Sequence, residues 1–197
     1  MKMMRFGVVL ALLALVAKGA EAQSDWFWGI TYEVSAGTGE TKDFVSGLNF
    51  RNIAVDGRKT LSRNTSAGMH FGWNVLTSQD DQVIQFNNAT ITGGAQIRYI
   101  NAWPIYANAH YYFGRRNGVR PYIGGNIGTI YEETRLDISL FALSDKAWHF
   151  AVAPEIGLIF PVDWHIKAHL SARYNYGFKA SNRTIGYFTV GLGLAWN

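Results

Sequence analysis

The sequence predicts an all-β protein: an eight-stranded antiparallel up-and-down transmembrane β-barrel behind a cleaved signal peptide. Three observations predict it. The N-terminus is built like an export signal. The rest of the chain alternates polar and apolar residues with period two. The links between alternating segments are alternately short and long.

The export signal comes first. Lys2 and Arg5 precede an apolar stretch at 6–17, and Ala20-Glu21-Ala22 fits a small-x-small cleavage site, so the mature chain starts at Gln23. The apolar stretch is short for a spanning helix, which needs about 20 residues. The expected organisation is therefore a signal peptide at 1–22 and one barrel domain at 23–197. Loss of Lys2, Arg5, Lys18 and Glu21 takes the formal charge from +4 to +2, too little to suggest a nucleic-acid partner. Cysteine is absent, which excludes disulfide scaffolds, thiolate metal sites and cysteine nucleophiles. Only 16% of residues are charged, below the roughly 25% of a typical soluble domain.

Successive strand residues point to opposite faces, and eight segments separate cleanly on that rule. In the first, Trp26, Trp28, Ile30, Tyr32 and Val34 oppose Phe27, Gly29, Thr31, Glu33 and Ser35. The second is the weakest: Ile53 and Val55 oppose Ala54, Asp56 and Arg58, and Phe50 falls out of phase, which predicts a bulge. In the third, Met69, Phe71 and Trp73 oppose Gly68, His70 and Asn74. The fourth sets Trp103, Ile105, Ala107 and Tyr111 against Tyr106, Asn108 and His110. The fifth sets Ile123, Ile127 and Tyr131 against Tyr122, Gly124, Asn126, Gly128, Ile130 and Glu132. In the sixth, Trp148, Phe150, Ile156 and Phe160 oppose His149, Ala153 and Glu155. In the seventh, Ile166, Leu170 and Tyr174 oppose His165, Lys167, His169, Ser171, Arg173 and Asn175. The last sets Phe188, Val190, Leu192, Leu194 and Trp196 against Tyr187, Thr189, Gly191 and Gly193.

Short links are expected at 61–64, 114–118 and 161–163, and longer loops at 36–47, 77–94, 133–146 and 177–182. An even strand number, short turns at one end and long loops at the other describe an outer-membrane barrel. Aromatics cluster at strand ends, as the bilayer interfaces favour. Trp26, Trp28, Phe113, Phe160 and Trp196 fall at the periplasmic ends, and Trp73, Trp103 and Trp148 at the outer ends. A soluble lipocalin-like barrel would turn the apolar face inward and carry many Lys and Glu outside. Here the polar face is rich in Gly, Ser, Asn and His, which suits a crowded lumen.

Particular stretches support this reading. Phe71-Gly72-Trp73-Asn74-Val75, Arg98-Tyr99-Ile100-Asn101, Val119-Arg120-Pro121-Tyr122-Ile123-Gly124-Gly125 and Ala153-Pro154-Glu155-Ile156-Gly157 resemble the bacterial outer membrane protein β-barrel domain family, the small eight-stranded barrels similar to the OmpA transmembrane domain and OmpW. The resemblance covers the mature chain and implies residence in the bacterial outer membrane after export through the periplasm. It also implies outer-membrane lipid and lipopolysaccharide as surroundings, and host or cell-surface ligands at extracellular loops. Members of that family often end on an aromatic residue, whereas here Asn197 follows Trp196.

Alternation places Glu33, Asp56, Arg58, Glu132, Glu155, Lys167, His169 and Arg173 in the lumen, together with His70, His110, His149 and His165. Isolated charges are costly in a narrow barrel, so these should pair into a polar plug. A turn centred near Val162 would set Glu155 opposite His169, with Lys167 diagonal to it. His169, Ser171 and Glu155 would then resemble the Ser-His-Glu set of lipid A deacylases, but on the lumen face, away from any lipid substrate. No catalytic residue, metal site or cofactor is assigned, because the histidines lack ligand spacing. Two functions remain: a structural or surface-interaction protein acting through its loops, and a narrow passive channel for water, ions or small hydrophobic solutes. Gly124, Gly128, Gly191 and Gly193 favour the channel, since absent side chains could leave a water path.

Overall fold

Where alternation is strongest, the strands form. The computed structural model describes residues 26–80, 84–86, 89–91, 96–115, 118–138, 141–163 and 165–196. The segment read as a signal peptide, 1–22, lies outside the described residues, as do Leu140 and Asn197. The elements are β1 (Trp26–Gly37), α1 (Glu40–Phe44), β2 (Leu48–Thr60), β3 (Thr65–Asp80), β4 (Ile84–Phe86), β5 (Ala89–Ile91), β6 (Gln96–Tyr112), β7 (Arg120–Ile138), β8 (Phe141–Pro161), β9 (Ile166–Ala180) and β10 (Arg183–Trp196). Eight of the strands close in the order β1-β10-β9-β8-β7-β6-β3-β2, every neighbour antiparallel, while β4 and β5 form a separate hairpin.

The faces are segregated. Ile30, Phe71, Ile123, Val190 and Leu192 are exposed on the outer wall, while Thr31, Asp56, His70, Asn126 and Arg173 are buried inside. An apolar exterior around a polar interior is the arrangement lipid demands, and closure leaves the ring without an unpaired edge in the hydrocarbon. Trp26 and Trp28 stack at one end, where Trp28 pairs with Trp196. Trp103, Tyr131 and Trp148 form a continuous tilted row at the other.

The bulge falls where Phe50 broke the pattern. Opposite Glu33 and Ser35, β2 carries one extra residue between Asn49 and Asn52. The Asn side chains take over the interrupted ladder: the Val75 amide donates to Asn52 Oδ1 at 2.9 Å and the Thr77 amide to Asn49 Oδ1 at 2.7 Å. Backbone donors freed by a bulge thereby keep partners.

Two expected loops are instead strand. Residues 133–138 continue β7 and 141–146 belong to β8, up to the pair Ile138↔Phe141, and β9 runs to Ala180 before a turn at Ser181 and Asn182, both with positive φ. β8 is 21 residues long and β7 is 19, roughly twice the 9–11 that cross a bilayer. On the barrel flanks pairing stops lower, at Arg51↔Val75 and Ala151↔Gly177. A four-stranded ledge, β3-β6-β7-β8, therefore stands above the extracellular rim.

Candidate functional site

Ten of the twelve ionisable residues expected in the lumen are buried: Glu33, Asp56, Arg58, His70, His110, Glu132, His149, Glu155, His169 and Arg173. Five of them meet at one centre. Arg173 donates from Nε to Glu155 at 2.9 Å and from Nη1 to Glu33 at 3.3 Å. Arg58 Nη2 lies 3.1 Å from Asp56 and 3.5 Å from Glu155. The two arginines and three carboxylates sit on four strands that alternation turns inward, so the network ties distant parts of the ring together.

Histidine and amide groups complete this centre. Arg173 also donates to His70 Nε2 at 2.7 Å, while His70 Nδ1 faces Asp56 at 3.2 Å. A guanidinium only donates, so His70 accepts at Nε2 and carries its proton on Nδ1. Tyr122 and Asn126 donate to Glu155 at 2.8 and 3.2 Å, and Asn74 donates to Glu33 at 3.1 Å. His110 Nε2 lies 3.5 Å from Glu155.

Glu132 belongs to a second cluster nearer the extracellular rim. It faces His149 Nε2 at 2.8 Å, accepts from Thr134 at 2.6 Å and meets Arg183 at 3.3 Å. His149 Nδ1 points at the Phe178 carbonyl at 2.9 Å. A carbonyl only accepts, so Nδ1 holds a proton, and the contact between Nε2 and Glu132 holds another on one side or the other.

Three expectations need correction. Glu155 pairs in register with Arg173, and His169 with Ile159, because the hairpin closes through Ile166 rather than around Val162. His169 instead hydrogen-bonds Thr31 at 2.8 Å, so the Ser-His-Glu set is not assembled. Lys167 pairs with Pro161, four positions nearer the periplasmic end of β8 than expected, and sits 5.8 Å over the Phe27 ring. His165 is on the turn and exposed. Among the described residues, no group of three His, Asp or Glu side chains is placed to hold a metal ion.

Nor are Gly124, Gly191 and Gly193 open space in the lumen. A Cβ on Gly124 would collide with the His110 ring, one on Gly191 would come within 2.6 Å of Thr31, and one on Gly193 within 2.5 Å of His169. These positions are vacated for neighbouring side chains, not for water. The residue reading also missed an apolar stopper in the extracellular half of the lumen. Val45, Leu76, Ile100, Tyr106, Ile130, Ile185 and Tyr187 pack there with Phe44 against them. Its signal was the apolar and aromatic residues on the polar parity: Tyr106, Ile130 and Tyr187. The segment carrying α1 lies over it as a lid. Thr38 donates to the Gly186 carbonyl at 2.8 Å, and the Gly186 amide donates to Thr41 Oγ1 at 2.9 Å.

The aromatics expected at the interfaces are mostly outward. Trp26, Trp28, Trp73, Phe113, Trp148 and Trp196 are exposed, whereas Trp103 and Phe160 are half-buried against neighbours.

A model of the outer membrane protein β-barrel domain matches residues 8–197. The chain belongs to that family. Its site is therefore the bacterial outer membrane, in agreement with the apolar wall. Likenesses to solved structures were also found, and the first of these shares the fold. Neisserial surface protein A is 14% identical over 89% of this chain and 99% of its own, with a TM-score of 0.56. Ail, the attachment invasion locus protein of Yersinia pestis, is 13% identical over 87% and 96%, with a TM-score of 0.48. OprG from Pseudomonas aeruginosa is 9% identical over 87% and 94%, also at 0.48. A search of the curated proteins found no match.

Proposed function

We propose that the protein is a non-catalytic barrel with a closed lumen, whose role lies in its extracellular ledge and loops. One observation carries this reading: the lumen is filled by side chains through the polar centre and again through the apolar stopper above it. Eight strands enclose an interior that side chains can just fill. The ledge then supplies the surface that differs from a minimal barrel, open to outer-membrane lipopolysaccharide at its base and to cell-surface ligands at its tip. A planar bilayer loaded with the folded protein should stay silent, a heat-shifted gel band confirming the fold. Reproducible current steps would replace this reading with the narrow channel. That second reading draws on a cavity at the periplasmic mouth, which an ion path would need.

A further inference from the structure

Beneath the polar centre the lumen widens into a cavity of about 180 Å³ at the periplasmic mouth. Its wall gathers cations from separate elements: Arg58 from β2, Arg63 from the following turn, Arg120 from β7 and Lys167 from β9. The cavity wall carries one carboxylate, Asp56. That group already serves Arg58 at 3.1 Å, His70 at 3.2 Å and Asn108 at 3.4 Å. Glu155 also lies 3.5 Å from Arg58; the lining itself carries four cations to one carboxylate, within a low-dielectric cleft that concentrates its field.

The cations are also held in place. The Arg58 and Lys167 head groups each lie 5.8 Å from the Phe27 ring centre, and Arg120 lies 5.0 Å over Tyr112. Arg120 further donates to the Arg63 carbonyl at 3.1 Å. Arg58 is 3% exposed, yet its Nε has no hydrogen-bond partner among the described residues. A buried guanidinium N–H left unmet on a cavity wall is a donor waiting for an acceptor.

We propose that this vestibule binds a phosphate-bearing anion from the periplasmic side. Guanidinium forks suit phosphate oxygens, and an ammonium opposite them adds a point charge. Two sources share that chemistry: a soluble phosphate compound, and the headgroup of a phospholipid in the periplasmic leaflet beside Trp26.

The test uses the folded full barrel in a non-ionic detergent and phosphate-free buffer. Inorganic phosphate and, separately, a short-chain phosphatidylglycerol are titrated in by calorimetry, with sodium chloride of matched ionic strength as the blank. Saturable one-site binding is expected, weakened about tenfold in Lys167→Met and in Arg120→Met. Arg63→Met, on the exposed turn, keeps the test open if either lumen variant fails to fold. Binding of both probes assigns the phosphate group itself as the ligand, and binding of the lipid alone assigns the headgroup. No saturable binding of either probe, or binding unchanged in the folded variants, overturns the proposal.

Discussion

Arg173 is the residue on which the lumen turns, since Glu33, His70 and Glu155 all converge on it. Removing one member of a buried pair strands the other charge, which costs roughly 3–5 kcal/mol. Arg173→Met and Glu155→Met should therefore each lower the barrel's unfolding free energy in urea by about that range. The double variant should lose clearly less than the sum, because the shared Arg173–Glu155 contact is lost only once. Additive losses would mean that each residue acts through packing alone. Arg173 and Glu155 were both legible in the sequence as inward polar residues, but their pairing was not. A register shift of an even number of residues leaves every side chain on its own face. Period two thus assigns Glu155 to the lumen without deciding between His169 and Arg173 as its neighbour. That choice rests on the hairpin, where the Val162 and Asp163 amides both donate to the Ile166 carbonyl.

At the scale of elements, legibility follows the bilayer. Inside it one face meets lipid and the other the lumen, so polarity alternates. Above the girdle both faces of a strand meet water and the alternation disappears. Glu133, Arg135, Asp145 and Lys146 read as loop for that reason, though they lie on β7 and β8. The α1 lid was equally hidden, since five residues are too few for a helical period to register. Its anchor has a pH dependence that can be worked out. The Thr184 amide and hydroxyl donate to Glu40 at 2.7 and 2.9 Å. The amide bond first, then the hydroxyl, hold the Glu40 carboxyl below its ordinary value of 4.5. A lowered folded-state value means the clasp stabilises at pH above 4.5 and is lost as pH falls through that lowered value. Amide exchange at Thr184 should accelerate, relative to the global rate, as the pH falls from 4.5 through the lowered Glu40 value, and Glu40→Gln should flatten the response. Equal protection of Thr184 across that range would remove the clasp from the account.

On the closed-lumen proposal, the molecule blocks its lumen more than once along the same axis. The α1 lid seals the top, the stopper of Tyr106, Ile130, Ile185 and Tyr187 lies beneath it, and the network of Arg58, Glu155 and Arg173 fills the middle. Barriers in series act differently from a single gate, because flux is limited by whichever remains closed. Replacing 38–47 by a short turn removes the lid, and with it Val45 and Phe44 of the stopper, yet leaves Tyr106, Ile130, Ile185, Tyr187 and the polar network in place. That variant should fold, lose the Thr38 and Thr41 bonds to Gly186, and remain as silent in a planar bilayer as the parent. Adding Tyr106→Ala and Tyr187→Ala should still leave it silent, since neither tyrosine belongs to the Arg173 and Glu155 contacts. Discrete conductance in the lid-deleted barrel alone would instead make α1 a gate. The filled interior would then be a path that the loop controls, and the ledge would lose its standing as the principal functional surface.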